Sequence, residues 1–277
     1  MKVIVAQKCG FCPGVKNAIS MAEKILEHQQ DVYCLGHIIH NKDVVERLEQ
    51  KGLKTVNDPQ QIKTGTVLIR SHGAPPSQID KLKTKGLKIE DATCVLVKRV
   101  QKIAQKLEKE GFKVVVIGDQ DHPEVRAVVG CVSDVCVIAD ESDLYNLKGC
   151  KKLGIVCQTT KGPEFFHKMV AAITELDFNE IKVINTLCRE TIKRQQSAVK
   201  LCKKVDIMFV LGGLESANTR TLAQLCKKYN NQTFHLQNWK EFDKNKLFGK
   251  KVAGVTAGAS TPEWIITEFV RNLEAFE

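Results

Sequence analysis

Three of the 11 cysteines, Cys12, Cys94 and Cys188, each sit where an apolar, strand-like run gives way to an amphipathic, helix-like one. Polar residues follow at a similar interval. His40 and His122 stand 28 residues after Cys12 and Cys94, while Ser216 and Asn218 stand 28 and 30 residues after Cys188. A thiol at the start of a helix is favoured as thiolate, because unpaired N–H groups and the helix dipole stabilise negative charge there. Thiolates are the ligands of zinc and of iron–sulfur clusters. Three of them converging on one point would make a metal centre with an open position, which is a site for chemistry.

Each residue also has an ordinary reading. A lone cysteine packs as a small hydrophobe, and Cys131, Cys136, Cys150, Cys202 and Cys226 have no companion motif. Cys9 and Cys12 form a CxxC, which alone reads as a redox pair or half of a zinc site. No second CxxC completes a zinc site, and a redox pair leaves Cys94 and Cys188 unexplained. Glu124, in His122-Pro123-Glu124, is a candidate proton donor or an acid complementing a helix dipole. His40 and His72 can donate hydrogen bonds to an anion. Ser216, Asn218 and Ser260 suit helix N-caps, whose outward N–H groups bind phosphate. There is no GxGxxG and no GxxxxGK[ST], so no nucleotide signature is present.

The elements that must position these groups alternate. Short β-branched runs such as Val3–Ala6, Val114–Ile117, Ile207–Leu211 and Val252–Val255 are separated by helical stretches such as Val95–Gly111 and Asn218–Tyr229. That pattern predicts α/β units with parallel sheets covered on both faces, and a ligand beyond the carboxyl ends of the strands. A third set of polar loops follows: Ser71-His72-Gly73, Gln158-Thr159-Thr160 and Thr256-Ala257-Gly258-Ala259-Ser260. The expected organisation is three pseudo-repeated lobes, 1–94, 95–187 and 188–277, the last with a C-terminal helix. The chain has 277 residues and a net charge of +10. Its lysines are spread along the helices without aromatic interleaving, which reads as a solvated basic surface and not as a nucleic-acid site. No apolar run is long enough to span a bilayer. With no leader pattern at Met1, the expectation is a cytoplasmic protein whose cysteines are not a disulfide framework.

The ordered set Gly10-Phe11-Cys12, His40-Asn41, Ser71-His72-Gly73, Asp91-Ala92-Thr93-Cys94, His122-Pro123-Glu124, Gln158-Thr159-Thr160, Cys188 with Thr191 and Arg194-Gln195, Ser216 with Asn218, and Thr256 to Ser260 resembles the 4-hydroxy-3-methylbut-2-enyl diphosphate reductase family. The resemblance runs from about residue 9 to 265. It implies a trefoil of three small α/β lobes around a central [4Fe–4S] cluster. It assigns three irons to Cys12, Cys94 and Cys188 and leaves the fourth open to the substrate's allylic hydroxyl. His40, His72, His122, Thr159, Ser216, Asn218 and Ser260 would hold the substrate, and Glu124 with Thr159 would deliver protons. Ferredoxin or flavodoxin would supply electrons to a monomer. The chain departs from the family pattern at Val95, Glu190, Glu215 and Ala217. Those departures leave a second reading, a divergent trefoil [4Fe–4S] enzyme acting on another small anion. A third is a non-catalytic cluster-bearing sensor or nucleic-acid binder.

Overall fold

The computed structural model describes residues 1–276. The chain opens with β1 (Lys2–Val5) and α1 (Pro13–Leu26). It continues through β2 (Val32–Leu35), α2 (Lys42–Gln50), β3 (Leu53–Val56), β4 (Thr66–Ile69), α3 (Pro76–Thr84) and β5 (Lys88–Asp91). Next come α4 (Val95–Lys109), β6 (Lys113–Ile117), α5 (Pro123–Val129), β7 (Val135–Ile138), β8 (Lys152–Cys157), α6 (Pro163–Thr174) and β9 (Glu180–Val183). The last group is α7 (Arg189–Cys202), β10 (Ile207–Leu211), α8 (Ala217–Tyr229), β11 (Thr233–Leu236), β12 (Val252–Ala257) and α9 (Glu263–Glu274).

The strands form three four-stranded, wholly parallel sheets, ordered β3-β2-β4-β5, β7-β6-β8-β9 and β11-β10-β12-β1. In each group the spatial order is second, first, third, fourth. The fourth place in the last sheet is filled by β1, from the opposite end of the chain, with Val3 in register with Ala253. The pseudo-repeat is therefore one of topology, and residues 2–5 belong by pairing with the final sheet rather than with the strands that follow them.

Central strands are continuous apolar runs because both faces are covered. All five residues of β10 are buried, as are all four of β4. In α4, Val97, Val100, Ala104 and Leu107 recur on one face and are buried. Leu107 lies so close to β8 that a Cβ on Gly154 would meet it at 3.0 Å. Burying each such aliphatic side chain contributes roughly 1.5–3 kcal/mol. Phe209 of β10 lies fully buried against Phe234, Phe242 and Phe269.

Packing divides the chain into two units. One comprises Met1–Lys16, Ile39–Glu46 and the chain from Arg189 onward; the other comprises Asn17–Ile38 and Arg47–Cys188. Among the described residues no helix is long and apolar enough to cross a membrane.

Candidate functional site

Each of the three cysteines follows the fourth strand of a sheet and directly precedes a helix: Cys12 before α1, Cys94 before α4, Cys188 before α7. Local sequence shapes the approach. Asp91 Oδ1 accepts from the Thr93 N–H at 2.9 Å, and Asn185 Oδ1 accepts from the Leu187 N–H at 3.0 Å. These side-chain turns bend the chain between strand and helix at the same distance before Cys94 and Cys188. Ahead of Cys12 the bend is made by Gly10, whose φ of 76° suits glycine.

One long-range hydrogen bond is repeated at all three. The Cys94 N–H donates to Ser71 O (3.0 Å), the Cys188 N–H to Thr159 O (2.9 Å) and the Cys12 N–H to Ala259 O (3.1 Å). Each acceptor lies in the polar loop after the third strand of the same sheet. The spacing from Cys12 to His40 and His72 suggested a different grouping. The structure ties Cys12 to the loop near residue 259, because β1 is paired into the last sheet. All three thiols are half-buried. Cys12 Sγ also accepts from the Val15 N–H at 3.5 Å. Cys9, by contrast, packs on the core of the last sheet, and burial pushes its thiol up, with nearby Arg194 acting in the opposite sense. That setting suits a packing residue better than the reactive half of a redox pair.

The polar loops after the first strand of each group share a second device. Asn41 Oδ1 accepts from the Val44 N–H at 3.1 Å, His122 Nδ1 from the Glu124 N–H at 3.2 Å, and Ser216 Oγ from the Thr219 N–H at 3.3 Å. All three cap a helix start. Because Nδ1 of His122 accepts, a neutral ring carries its proton on Nε2, which is then a donor. The His72 and His122 rings meet edge to face at 5.6 Å. His40 stands just before its cap, and its carbonyl accepts from Ser260 Oγ at 3.2 Å. That carbonyl also lies where a Cβ on Gly213 would come within 2.6 Å.

Asn218 is buried, and its Nδ2 makes no hydrogen bond among the described residues. A buried amide left in this state costs about 1–3 kcal/mol and is a donor that a ligand could satisfy. Ser216, two residues before it, and Ser260, in the same unit, are also buried. Ala217 is buried too and offers no hydroxyl donor at this depth. Glu215 is exposed, which keeps its carboxylate in water.

Glu124 is the most perturbed acid of the set. It is 2% exposed, and burial pushes its carboxyl from 4.5 to about 7, against two Thr159 hydrogen bonds that act downward. Thr159 N–H donates to Oε1 at 2.6 Å and Thr159 Oγ1 to Oε2 at 2.8 Å. Such a group changes protonation state near neutrality, as a general acid requires.

Sequence reasoning passed over Asp119 and Thr186. The Asp119 N–H donates to Gln158 Oε1 at 2.9 Å, and Lys161 Nζ donates to Asp119 Oδ1 at 2.6 Å. Thr186 Oγ1 accepts from the Cys157 N–H at 2.8 Å. These contacts brace the loop that carries Thr159. Only the abundance of short polar residues around it hinted at them.

A family model described as "LytB protein" matches residues 3–274. A 4-hydroxy-3-methylbut-2-enyl diphosphate reductase of Geobacter sulfurreducens is 40% identical, covering 100% of this chain and 98% of its own. A solved (E)-4-hydroxy-3-methyl-but-2-enyl diphosphate reductase, described as the terminal enzyme of the non-mevalonate pathway, is 40% identical over both full chains, with a TM-score of 0.75. The solved E-1-hydroxy-2-methyl-but-2-enyl-4-diphosphate reductase of Plasmodium falciparum is 27% identical, covers 98% of this chain and 87% of its own, and has a TM-score of 0.92.

Proposed function

We propose that this chain, which belongs to the LytB protein family, is an oxidoreductase that converts 4-hydroxy-3-methylbut-2-enyl diphosphate to isopentenyl and dimethylallyl diphosphate. Two electrons and two protons enter, the allylic C–O bond breaks, and water leaves. Among the features of the site, the reading rests most heavily on Glu124, a buried carboxyl tuned to about 7 and held by Thr159. Full-length relatives that carry the reductase's name favour this substrate over another small anion.

Cys12, Cys94 and Cys188 are the proposed ligands of a [4Fe–4S] cluster. Their support is a donor set of the right chemistry: three half-buried thiols, each at a helix start and each with its N–H tied to a neighbouring loop. When bound, the cluster supplies electrons and Lewis acidity to the allylic centre.

The remaining work belongs to this chain's own side chains. Nε2–H of His122 and the buried amide of Asn218 are donors for the diphosphate, with His40, His72, Ser216 and Ser260. Diphosphate binding, remote from the reacting carbon, positions the hydroxyl. Glu124 holds its proton at Oε2. When protonated, Oε2 donates to Thr159 Oγ1, and the threonine's own hydrogen is free to pass to the departing oxygen. After transfer, the Thr159 hydroxyl donates back to the carboxylate, as found here. The Thr159 N–H stays on Oε1 throughout. The electron source is ferredoxin or flavodoxin, and the enzyme acts as a cytoplasmic monomer.

The test is protein purified without oxygen, reconstituted with iron and sulfide, and assayed with the hydroxylated diphosphate and a viologen reductant. Formation of the two isoprenyl diphosphates is expected. A loaded protein that consumes no substrate would refute the assignment.

A further inference from the structure

The last sheet leaves β1 at its edge, with Val5 41% exposed. Beside it runs α7, and the two line a groove of about 410 Å³. Its rim carries Lys8, Lys193, Lys200 and Lys204, all exposed. On α7 and just beyond it, positions 193, 200 and 204 recur at helical intervals on one face. Lys193 lies 3.6 Å from Glu190. Lys8, Lys200 and Lys204 make no ion pair among the described residues, although this chain forms many lysine–carboxylate pairs elsewhere. Ile4, Ala6 and Leu201 give the floor an apolar part. The Lys8 N–H donates to Ser197 Oγ at 3.2 Å, which fixes one wall to the other.

We propose that this groove docks an acidic one-electron carrier protein that reduces the enzyme. The proposal rests on the reductase reading above. Uncompensated positive charge around a partly apolar floor is the complement of an acidic protein face, and steers it on approach. The exposed edge of β1 adds unpaired backbone groups for a partner segment. Position also favours the role: Lys8 is four residues before Cys12, so their Cα atoms lie at most about 14 Å apart. A carrier seated there delivers its electron beside a proposed cluster ligand. Each turnover needs two visits, one electron each, to balance two protons taken up and one water released. Nucleic acid is the poorer fit, since among the described residues no aromatic side chain lines the groove for base stacking.

The experiment compares reconstituted wild type with K8E/K200E/K204E and with K81E/K102E/K109E, a charge-matched control on exposed lysines elsewhere. Iron content and melting temperature establish that each variant is folded and loaded. With reduced ferredoxin at low ionic strength, the groove variant is expected to show a KM for the carrier raised at least about tenfold. Its salt dependence should flatten, while turnover with a viologen reductant stays at the wild-type value and the control behaves as wild type. An unchanged carrier KM, with viologen turnover intact, would overturn the docking site. So would loss of oligonucleotide binding in the groove variant with carrier kinetics untouched, which would assign the groove to nucleic acid. No viologen turnover in loaded wild type would instead remove the reductase reading, and the docking site with it.

Discussion

The peptide N–H of Cys188 donates to the carbonyl of Thr159 at 2.9 Å, while the N–H and hydroxyl of Thr159 both donate to Glu124. One residue thus joins a proposed cluster ligand to a proposed proton carrier. Its peptide geometry is fixed on both sides, which leaves the hydroxyl hydrogen as the part free to reorient. A proton held near the proposed cluster by a rigid backbone would meet the general demand for preorganised donors.

Glu124→Gln should retain iron yet lose about 100-fold or more in turnover, the usual contribution of a general acid. In wild type, turnover should fall as pH rises through about 7, where the carboxyl loses its proton. The same shift sets a stability trend. The folded pKa lies above the usual 4.5, so this group's contribution is full below 4.5 and is lost as pH rises through 7. The loss is on the order of 3 kcal/mol. The glutamine variant should lack it and melt higher than wild type at pH 8. Near-normal activity in the variant would remove Glu124 from proton delivery.

Serine at Cys12, Cys94 or Cys188 should lower bound iron and sulfide, whereas serine at Cys131 or Cys202 should not. Cys131 Sγ donates to Ala127 O, and Cys202 is buried in the core of the last sheet. Equal iron loss from both groups, measured on anaerobically purified protein, would undo the ligand assignment.

Gly213→Ala places a Cβ 2.6 Å from the His40 carbonyl unless the loop moves. That carbonyl also holds Ser260, so displacement disturbs two proposed diphosphate contacts at once. The substrate KM should rise by about tenfold, one lost hydrogen bond to a charged group, while iron content stays constant. An unchanged KM would show that neither residue touches substrate.

Asn218→Ala removes a buried amide whose Nδ2 has no hydrogen-bond partner among the described residues. Thermal stability should be nearly unchanged, while substrate affinity falls by roughly five- to 150-fold, the equivalent of 1–3 kcal/mol. A large drop in melting temperature with unaltered affinity would mark the amide as structural.

Chemistry and fold class could be read from residue types and their order. Continuous β-branched runs such as Ile207–Leu211 specify strands covered on both faces, and Cys94 and Cys188 each follow a short acid or amide that bends the chain locally. One edge strand was far less visible. β5, with the sequence KIED, is half-exposed and mixes charge with apolar residues, so periodicity hardly distinguishes it from a loop. What the tertiary structure alone decided lies in contacts distant along the chain. It closed the last sheet with β1, gave Cys12 the carbonyl of Ala259 as its partner, and sealed Glu124 from water so that its carboxyl titrates near neutrality. A sequence states which groups are present and how nearby residues turn. Pairing between opposite ends of a chain, and the loss of solvent around one side chain, come from the assembled packing and have no local signature.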